Sequence, residues 1–401
     1  MRVSRDACVN AGLVFASCLF AALLLWGTGE LVLRSKYGSL RSESELAMRT
    51  FDERRGWALR PGNYSYFDPK SVRRVDLRIN ELGLRNAPLA PAPLPGVRRV
   101  TLLGDSFIFG APVAEDATIA AQLQALAGSA HEIVNVGVPG YGTGQEYLLV
   151  EELRAKGYEL GAKLVLVFFT NDILDNLGLE YGTLQRNAVQ PVFGIDANGN
   201  LRLTPGRPPR KSWAVGEARG GGLLGESLFL GFMRYQLEVV AVSFPGILAA
   251  AQAVGIAPAL PRTPGVIAGW YGPQWEARWQ VTSDLVEYLV GALRRTSVPP
   301  EVYIAFIPSP FQVHESFRRT VAAAASSDER CAGFLSDPDR PQRVLEALAR
   351  RLEVPFVDLT PALRSAAERA ALYFPREGHF NEAGSAIAAQ VLYEQVIAKE
   401  R

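Results

Sequence analysis

The chain has 401 residues, enough for one large domain with a sizeable core and not enough to require two. Lys plus Arg number 42 against Asp plus Glu 41, a formal charge of +1, and so even a balance argues against a nucleic-acid binder, which needs a basic face. Three cysteines (Cys8, Cys18, Cys331) offer no disulfide framework and no zinc spacing, and three histidines (His131, His314, His379) leave few candidates for any histidine-dependent chemistry.

The chain opens on an apolar stretch. Residues 8–26 carry no charge, and Leu31, Val32 and Leu33 add apolar side chains beyond Glu30. About 20 apolar residues cross a bilayer as a helix, so one N-terminal transmembrane helix is expected. A removed signal peptide would show a small-residue cleavage site after the apolar region, and none stands out. A lipoprotein-like Phe15-Ala16-Ser17-Cys18 is followed by more apolar chain, Leu19-Phe20-Ala21-Ala22-Leu23-Leu24-Leu25, which suits a span better. Basic residues flank both ends (Arg2 and Arg5; Arg34, Lys36 and Arg41), so charge alone does not orient the helix.

Residues 37–60 are polar and charged and read as a tether or an irregular helix. Residues 61–96 are turn-rich, and Pro88, Pro91, Pro93 and Pro95 mark an extended linker. The expected organisation is a membrane anchor at 1–36, a tether and extended segment at 37–97, and a compact domain at 98–401 with an insertion at about 178–275. Within that domain, strands are expected at 99–103, 132–136, 163–169, 301–307 and 354–357. The third is a nearly continuous apolar run, the mark of a central parallel strand buried on both faces. Pro355 places the fifth at an edge. Helices are expected at 117–127, 144–156, 276–295, 343–352 and 383–397. Such alternation predicts a parallel sheet with helices on both faces and an active site at the carboxyl ends of the strands. The insertion breaks the rhythm with Gly220-Gly221-Gly222, many prolines and a nearly all-apolar run at 239–260. A second full crossing there would put the two halves of the domain on opposite sides of the membrane, so a buried, interfacial or re-entrant helix is the alternative.

Four short blocks at strand ends, or before the last helix, carry chemistry. In Leu103-Gly104-Asp105-Ser106-Phe107, a serine behind a strand and close after a glycine can sit on a tight turn at a helix start. Its hydroxyl then faces the cleft and its own N–H can meet a developing oxyanion. In Asn135-Val136-Gly137-Val138-Pro139-Gly140-Tyr141-Gly142, glycines let backbone N–H groups approach a substrate; the plainer reading is a turn. In Phe169-Thr170-Asn171-Asp172, an amide side chain can donate to an oxyanion; the plainer reading is an Asx turn. In Pro375-Arg376-Glu377-Gly378-His379-Phe380-Asn381, a histidine lies beside an acid that can fix its tautomer. His131 and His314 are also followed by glutamate, but His131 enters a strand at its amino end, and His314 lies in a loop after the fourth strand.

Taken together and in this order, the blocks resemble the SGNH/GDSL hydrolase family over residues 98–180 and 300–398. The segment Asp76-Leu77-Arg78-Ile79-Asn80-Glu81-Leu82-Gly83-Leu84-Arg85 resembles one found in membrane-anchored members. The resemblance implies a flavodoxin-like three-layer α/β/α sandwich with a five-stranded parallel sheet of order 2-1-3-4-5. It implies Ser106 as nucleophile, His379 as general base, and an oxyanion hole of the Ser106 N–H, the Gly140 N–H and the Asn171 side chain. The family's acid is normally an aspartate two or three residues before the histidine. Here Arg376 and Glu377 hold those places, so Glu377 is the expected acid and Asp358 the fallback. No metal or organic cofactor is implied.

The expected function is a carbohydrate O-acetylesterase-like serine esterase acting on acyl esters of cell-surface or exported polysaccharide. Its domain would be extracytoplasmic, on the periplasmic side of the inner membrane, with no nucleic-acid partner. The alternatives are a polysaccharide O-acetyltransferase, a lysophospholipase or thioesterase, and a non-catalytic glycan-binding protein on the same fold.

Overall fold

A computed structural model describes residues 5–37, 48–68, 71, 73–177, 191–206, 227, 229, 233, 265–374 and 378–400. The N-terminal helix α1 runs Arg5–Tyr37, and within it Ala16–Ser35 is long and apolar enough to cross a membrane. Two antiparallel hairpins follow, β1 (Arg49–Asp52) with β2 (Gly56–Leu59) and β3 (Gly62–Asp68) with β4 (Arg73–Ile79).

The central sheet is built from β5 (Arg98–Gly104), β6 (His131–Gly137) and β7 (Lys163–Phe169), then β10 (Glu301–Ile307) and β11 (Phe356–Asp358). A further hairpin, β8 (Val192–Ile195) with β9 (Leu201–Thr204), lies between β7 and β10 in sequence. The spatial order of the central sheet is β6-β5-β7-β10-β11 and every pairing is parallel. In order of appearance this is 2-1-3-4-5, the flavodoxin-like arrangement.

Alternation along the strands sorts the core into two layers. Leu164, Leu166 and Phe168 of β7 join Val302, Ile304 and Phe306 of β10 on one face. Val165, Val167 and Phe169 join Tyr303, Ala305 and Ile307 on the other. The first face is covered by α4 (Thr143–Ala155), α7 (Trp275–Arg294) and α11 (Arg340–Arg351), through residues such as Leu149, Leu289 and Leu345. The second is covered by α3 (Ile119–Ala127), α12 (Thr360–Ala367) and α13 (Glu382–Leu392), through Leu123, Leu363 and Ala388. Short helices complete the body: α2 (Ser106–Phe109), α5 (Asp172–Asp175), α6 (Gly265–Tyr271), α8 (Pro310–Val313), α9 (Glu315–Ala324) and α10 (Glu329–Ser336).

Three boundaries differ from the sequence expectation. The tether and linker region carries the first two hairpins, and Met48, Trp57, Leu59, Val75, Leu77 and Ile79 are buried in the same core as β7. Apolar packing therefore begins well before residue 98. The cause is legible in β4, where Val75, Leu77 and Ile79 alternate with exposed polar residues. The interruption between β7 and β10 also ends earlier than 275. Trp270 of α6 is fully buried and donates from Nε1 to the Thr170 carbonyl at 2.8 Å. The last helix closes at Leu392 and continues as a wider π turn, Tyr393–Ile397. The apolar run at 239–260 lies outside the described residues.

Candidate active site

The candidate site lies where the sheet order reverses, at the carboxyl ends of β5 and β7, the position at which open α/β sheets usually bind ligands. β5 delivers Asp105 and Ser106. The Asp105 carboxylate accepts from the Phe107 N–H at 2.9 Å, and this cap starts α2 with Ser106 as its first residue. Ser106 is 3% exposed.

His379 reaches this serine from the far end of the chain. Its Nε2 lies 2.6 Å from Ser106 Oγ. The imidazole is placed by both its loop and its packing. Phe374 N–H donates to the His379 carbonyl and Gly378 N–H donates to the Phe374 carbonyl, each at 2.9 Å, closing a tight loop. Asn381 then caps α13 by accepting from Gly384 N–H at 3.0 Å. The Phe107 ring stacks against the His379 ring with centroids 4.8 Å apart and also touches Phe380.

The second block packs directly beneath the nucleophile turn. A Cβ on Gly137 would sit 2.2 Å from the Phe109 nitrogen, so only glycine lets β6 approach α2 this closely. Asn135 ties the two together: it donates to the Ile108 carbonyl at 2.7 Å and accepts from Gly137 N–H at 2.9 Å. Gly140 lies in the left-handed region at φ +79°, in the turn that leads into α4.

The third block follows β7. Asn171 is buried, and its Nδ2 donates to Asp175 Oδ2 at 2.8 Å. The Asn171 amide also draws the Asp105 carboxyl pKa downward, so the ends of β5 and β7 meet at this point.

Around these residues sits an acid-rich interior. Asp105, Glu146, Asp172 and Asp175 are each at most 3% exposed. Burial pushes the Asp105 carboxyl above the usual range, against the opposing pull of the Phe107 N–H and the His379 charge. Burial and then the Asp105 charge push Glu146 well above it. Asp172 is driven the same way, by burial and by the charges of Asp105, Glu146 and Asp175. Glu146 Oε1 and Asp172 Oδ1 accept no hydrogen bond among the described residues. Burial and mutual repulsion therefore favour the protonated forms of Asp105, Glu146 and Asp172.

The structure thus brings Ser106, His379 and Asn171 to one crevice, with Gly140 on the adjoining loop. Glu377 lies outside the described residues. Asp358 caps α12 instead, accepting from Thr360 N–H at 2.9 Å. His131 stands at the amino end of β6 with Nδ1 at 3.3 Å from the Ala127 carbonyl. His314 accepts from Leu372 N–H at 3.2 Å, and burial lowers its pKa. Three residues with evident positioning work were not singled out by the sequence. Asp175 could have been read from its i,i+4 spacing to Asn171. Asn135 was quoted only within its block. Arg85, quoted only as the end of the 76–85 segment, donates to the Phe109 (3.2 Å), Gly110 (2.8 Å) and Val113 (2.9 Å) carbonyls and so closes the end of α2.

No family model and no curated protein matches the chain. It is similar to solved structures. A carbohydrate acetylesterase family member from Sinorhizobium meliloti shares 14% identity at TM-score 0.37, over 75% of this chain and 97% of that one. A lipolytic protein of the G-D-S-L family from Veillonella parvula shares 13% identity at TM-score 0.36, over 75% and 98%. A catalytic mutant of an acetylxylan esterase from Geobacillus stearothermophilus shares 12% identity at TM-score 0.34, over 75% and 94%. These likenesses are distant. The fold assignment rests on the strand order and the chemistry on the residues of the crevice.

Proposed function

We propose that the protein is a serine ester hydrolase of the SGNH/GDSL type, with Ser106 as nucleophile and His379 as general base. The observation that carries this reading is the 2.6 Å contact between His379 Nε2 and Ser106 Oγ at the crevice. His379 Nε2 takes the hydroxyl proton as Oγ attacks the ester carbonyl carbon. The carbonyl oxygen becomes a tetrahedral oxyanion, met by the Ser106 N–H, the Gly140 N–H and the Asn171 amide. As the tetrahedral adduct collapses, the same imidazole gives the proton to the departing alkoxide. A water molecule, deprotonated by His379, then attacks the acyl-serine, and as the carboxylic acid leaves His379 returns that proton to Ser106 Oγ. Glu377 is the acid that holds the imidazole tautomer in this scheme.

The substrate class we propose is the acyl, above all acetyl, esters of cell-surface or exported polysaccharide. The support is the combination of an SGNH-like site with an N-terminal helix that suits a membrane anchor, the domain being held outside the cytoplasm. The test is hydrolysis by the full-length protein in detergent of p-nitrophenyl esters of increasing chain length, followed by acetylated glycans. Acetyl preference with acetate release from a glycan supports the reading. Preference for long acyl chains overturns its substrate part. Acyl transfer to an added glycan in place of release makes the protein a transferase with the same nucleophile.

A further inference from the structure

Between Ala16 and Ser35 most positions of helix α1 are exposed, yet one face towards its carboxyl end is covered. Leu25 is 63% exposed and Leu31 69%, whereas Glu30 between them is 9% exposed. The covered or partly covered positions are Trp26, Gly29, Glu30 and Leu33. That is i, i+3, i+4, i+7, a single helix face.

What meets this face is the insertion. Ser227 Oγ donates to Glu30 Oε2 at 2.7 Å, and the Phe229 N–H donates to the same oxygen at 2.9 Å. Trp26 Nε1 donates to Ser227 Oγ at 2.8 Å, and Arg34 Nε donates to Glu30 Oε1 at 2.7 Å. The carboxylate therefore receives donors on both oxygens. Gly29 completes the fit: a Cβ there would fall 2.2 Å from the Phe229 ring, while a Cβ on Gly27 would meet nothing within 4 Å. A small residue for close approach, with polar groups bonding across the contact, is the chemistry by which membrane helices hold a neighbour. An acidic residue so close to an apolar span is costly unless it is paired, and here it is.

We propose that α1 is a permanent part of the folded protein and that its Trp26–Gly29–Glu30 face is the docking surface for Ser227 and Phe229 of the insertion. A leader removed after export gains nothing from a satisfied, shape-matched contact with the rest of the chain. Arg34 sits at the end of the Ala16–Ser35 stretch, where a guanidinium matches the headgroup layer. This proposal does not depend on the esterase reading.

The test compares two matched substitutions in the full-length protein purified from membranes. Gly29→Leu and Gly27→Leu add the same side chain to the same helix, so they change its hydropathy equally. Gly29→Leu should speed proteolytic cleavage within the insertion by about tenfold or more, where cleavage follows the population of the undocked form. Gly27→Leu should match the parent. If the Gly29 variant does not accumulate, a disulfide trap decides: Gly29→Cys with Phe229→Cys, with native cysteines replaced by serine, should oxidise readily, because a Cβ at position 29 lies 2.8 Å from Phe229 Cγ. Gly27→Cys with Phe229→Cys should not. Intact-mass measurement of the parent should find residues 26–34 retained. Equal cleavage of the two leucine variants, equal trapping of the two pairs, or a mature chain beginning after Glu30 would each overturn the proposal.

Discussion

Replacing Asn171 by alanine separates the chemical and structural duties of that residue. The amide is buried, with Nδ2 bound to Asp175 Oδ2 at 2.8 Å. In the proposed mechanism it also donates to the oxyanion in the transition state. Loss of one such donor costs about 3–4 kcal/mol, or roughly 100- to 1,000-fold in kcat. Because the oxyanion exists only in the transition state, KM should change little. Folding loses something else. Asp175 Oδ2 loses its amide partner, at about 1–3 kcal/mol in stability. The assay is steady-state hydrolysis of p-nitrophenyl acetate, run beside urea unfolding. Asp175→Asn supplies the matched comparison. It keeps the shape and removes the charge that orients the amide, and should lower kcat by about tenfold. A folded Asn171→Ala protein with kcat within about threefold of the parent would refute the oxyanion role, since the donor would then be doing none of the work assigned to it.

Three further outcomes are expected. Gly137→Ala places a methyl 2.2 Å from the Phe109 nitrogen, against backbone that cannot retreat, and should cost about 1–3 kcal/mol by thermal or urea melts while displacing the nucleophile turn and lowering kcat. Glu146 holds its proton in the folded state above the pH at which the unfolded chain releases it, so folding gains protons there and stability falls as pH rises from the ordinary carboxylate range towards the raised folded value. The slope is at most ~1.4 kcal/mol per pH unit, and Glu146→Gln, measured by urea unfolding from pH 5 to pH 9, should flatten the curve. Glu377→Gln should lower kcat by about tenfold or more, short of the ~10,000-fold loss seen when a triad aspartate is neutralised; unchanged activity would remove Glu377 from the mechanism.

The central sheet was legible because its strands are buried on both faces. A run such as Leu164-Val165-Leu166-Val167-Phe168-Phe169 has no other comfortable home in a soluble domain. The strand order was not in the periodicity; it came from the resemblance carried by four short blocks. Those blocks also brought out Ser106, Asn171 and His379, which stand 65 and 208 residues apart along the chain yet share one crevice. The hairpins at 49–79 escaped because their strands are short and lie among prolines, glycines and charges, so turn signals outweighed the alternation in β4. Arg85 and Asn135 escaped for a different reason. Their work is to hold backbone carbonyls of the nucleophile turn, and a residue that bonds main chain far away in sequence leaves no local pattern. The docking face of α1 was hidden in the same way. Glu30 looked like an interruption of an apolar stretch, and its partners Ser227 and Phe229 lie far away in sequence, where no local pattern announces them.

The measurement closest to the central claim is covalent labelling by a fluorophosphonate, which reacts with a serine hydroxyl only when a neighbouring base activates it. The full-length protein should take up one label, located by peptide mass spectrometry on Ser106, and His379→Ala should abolish it in a chain that still melts cooperatively. Absence of label from the folded parent, or labelling of Ser106 undiminished in the His379 variant, would contradict the account.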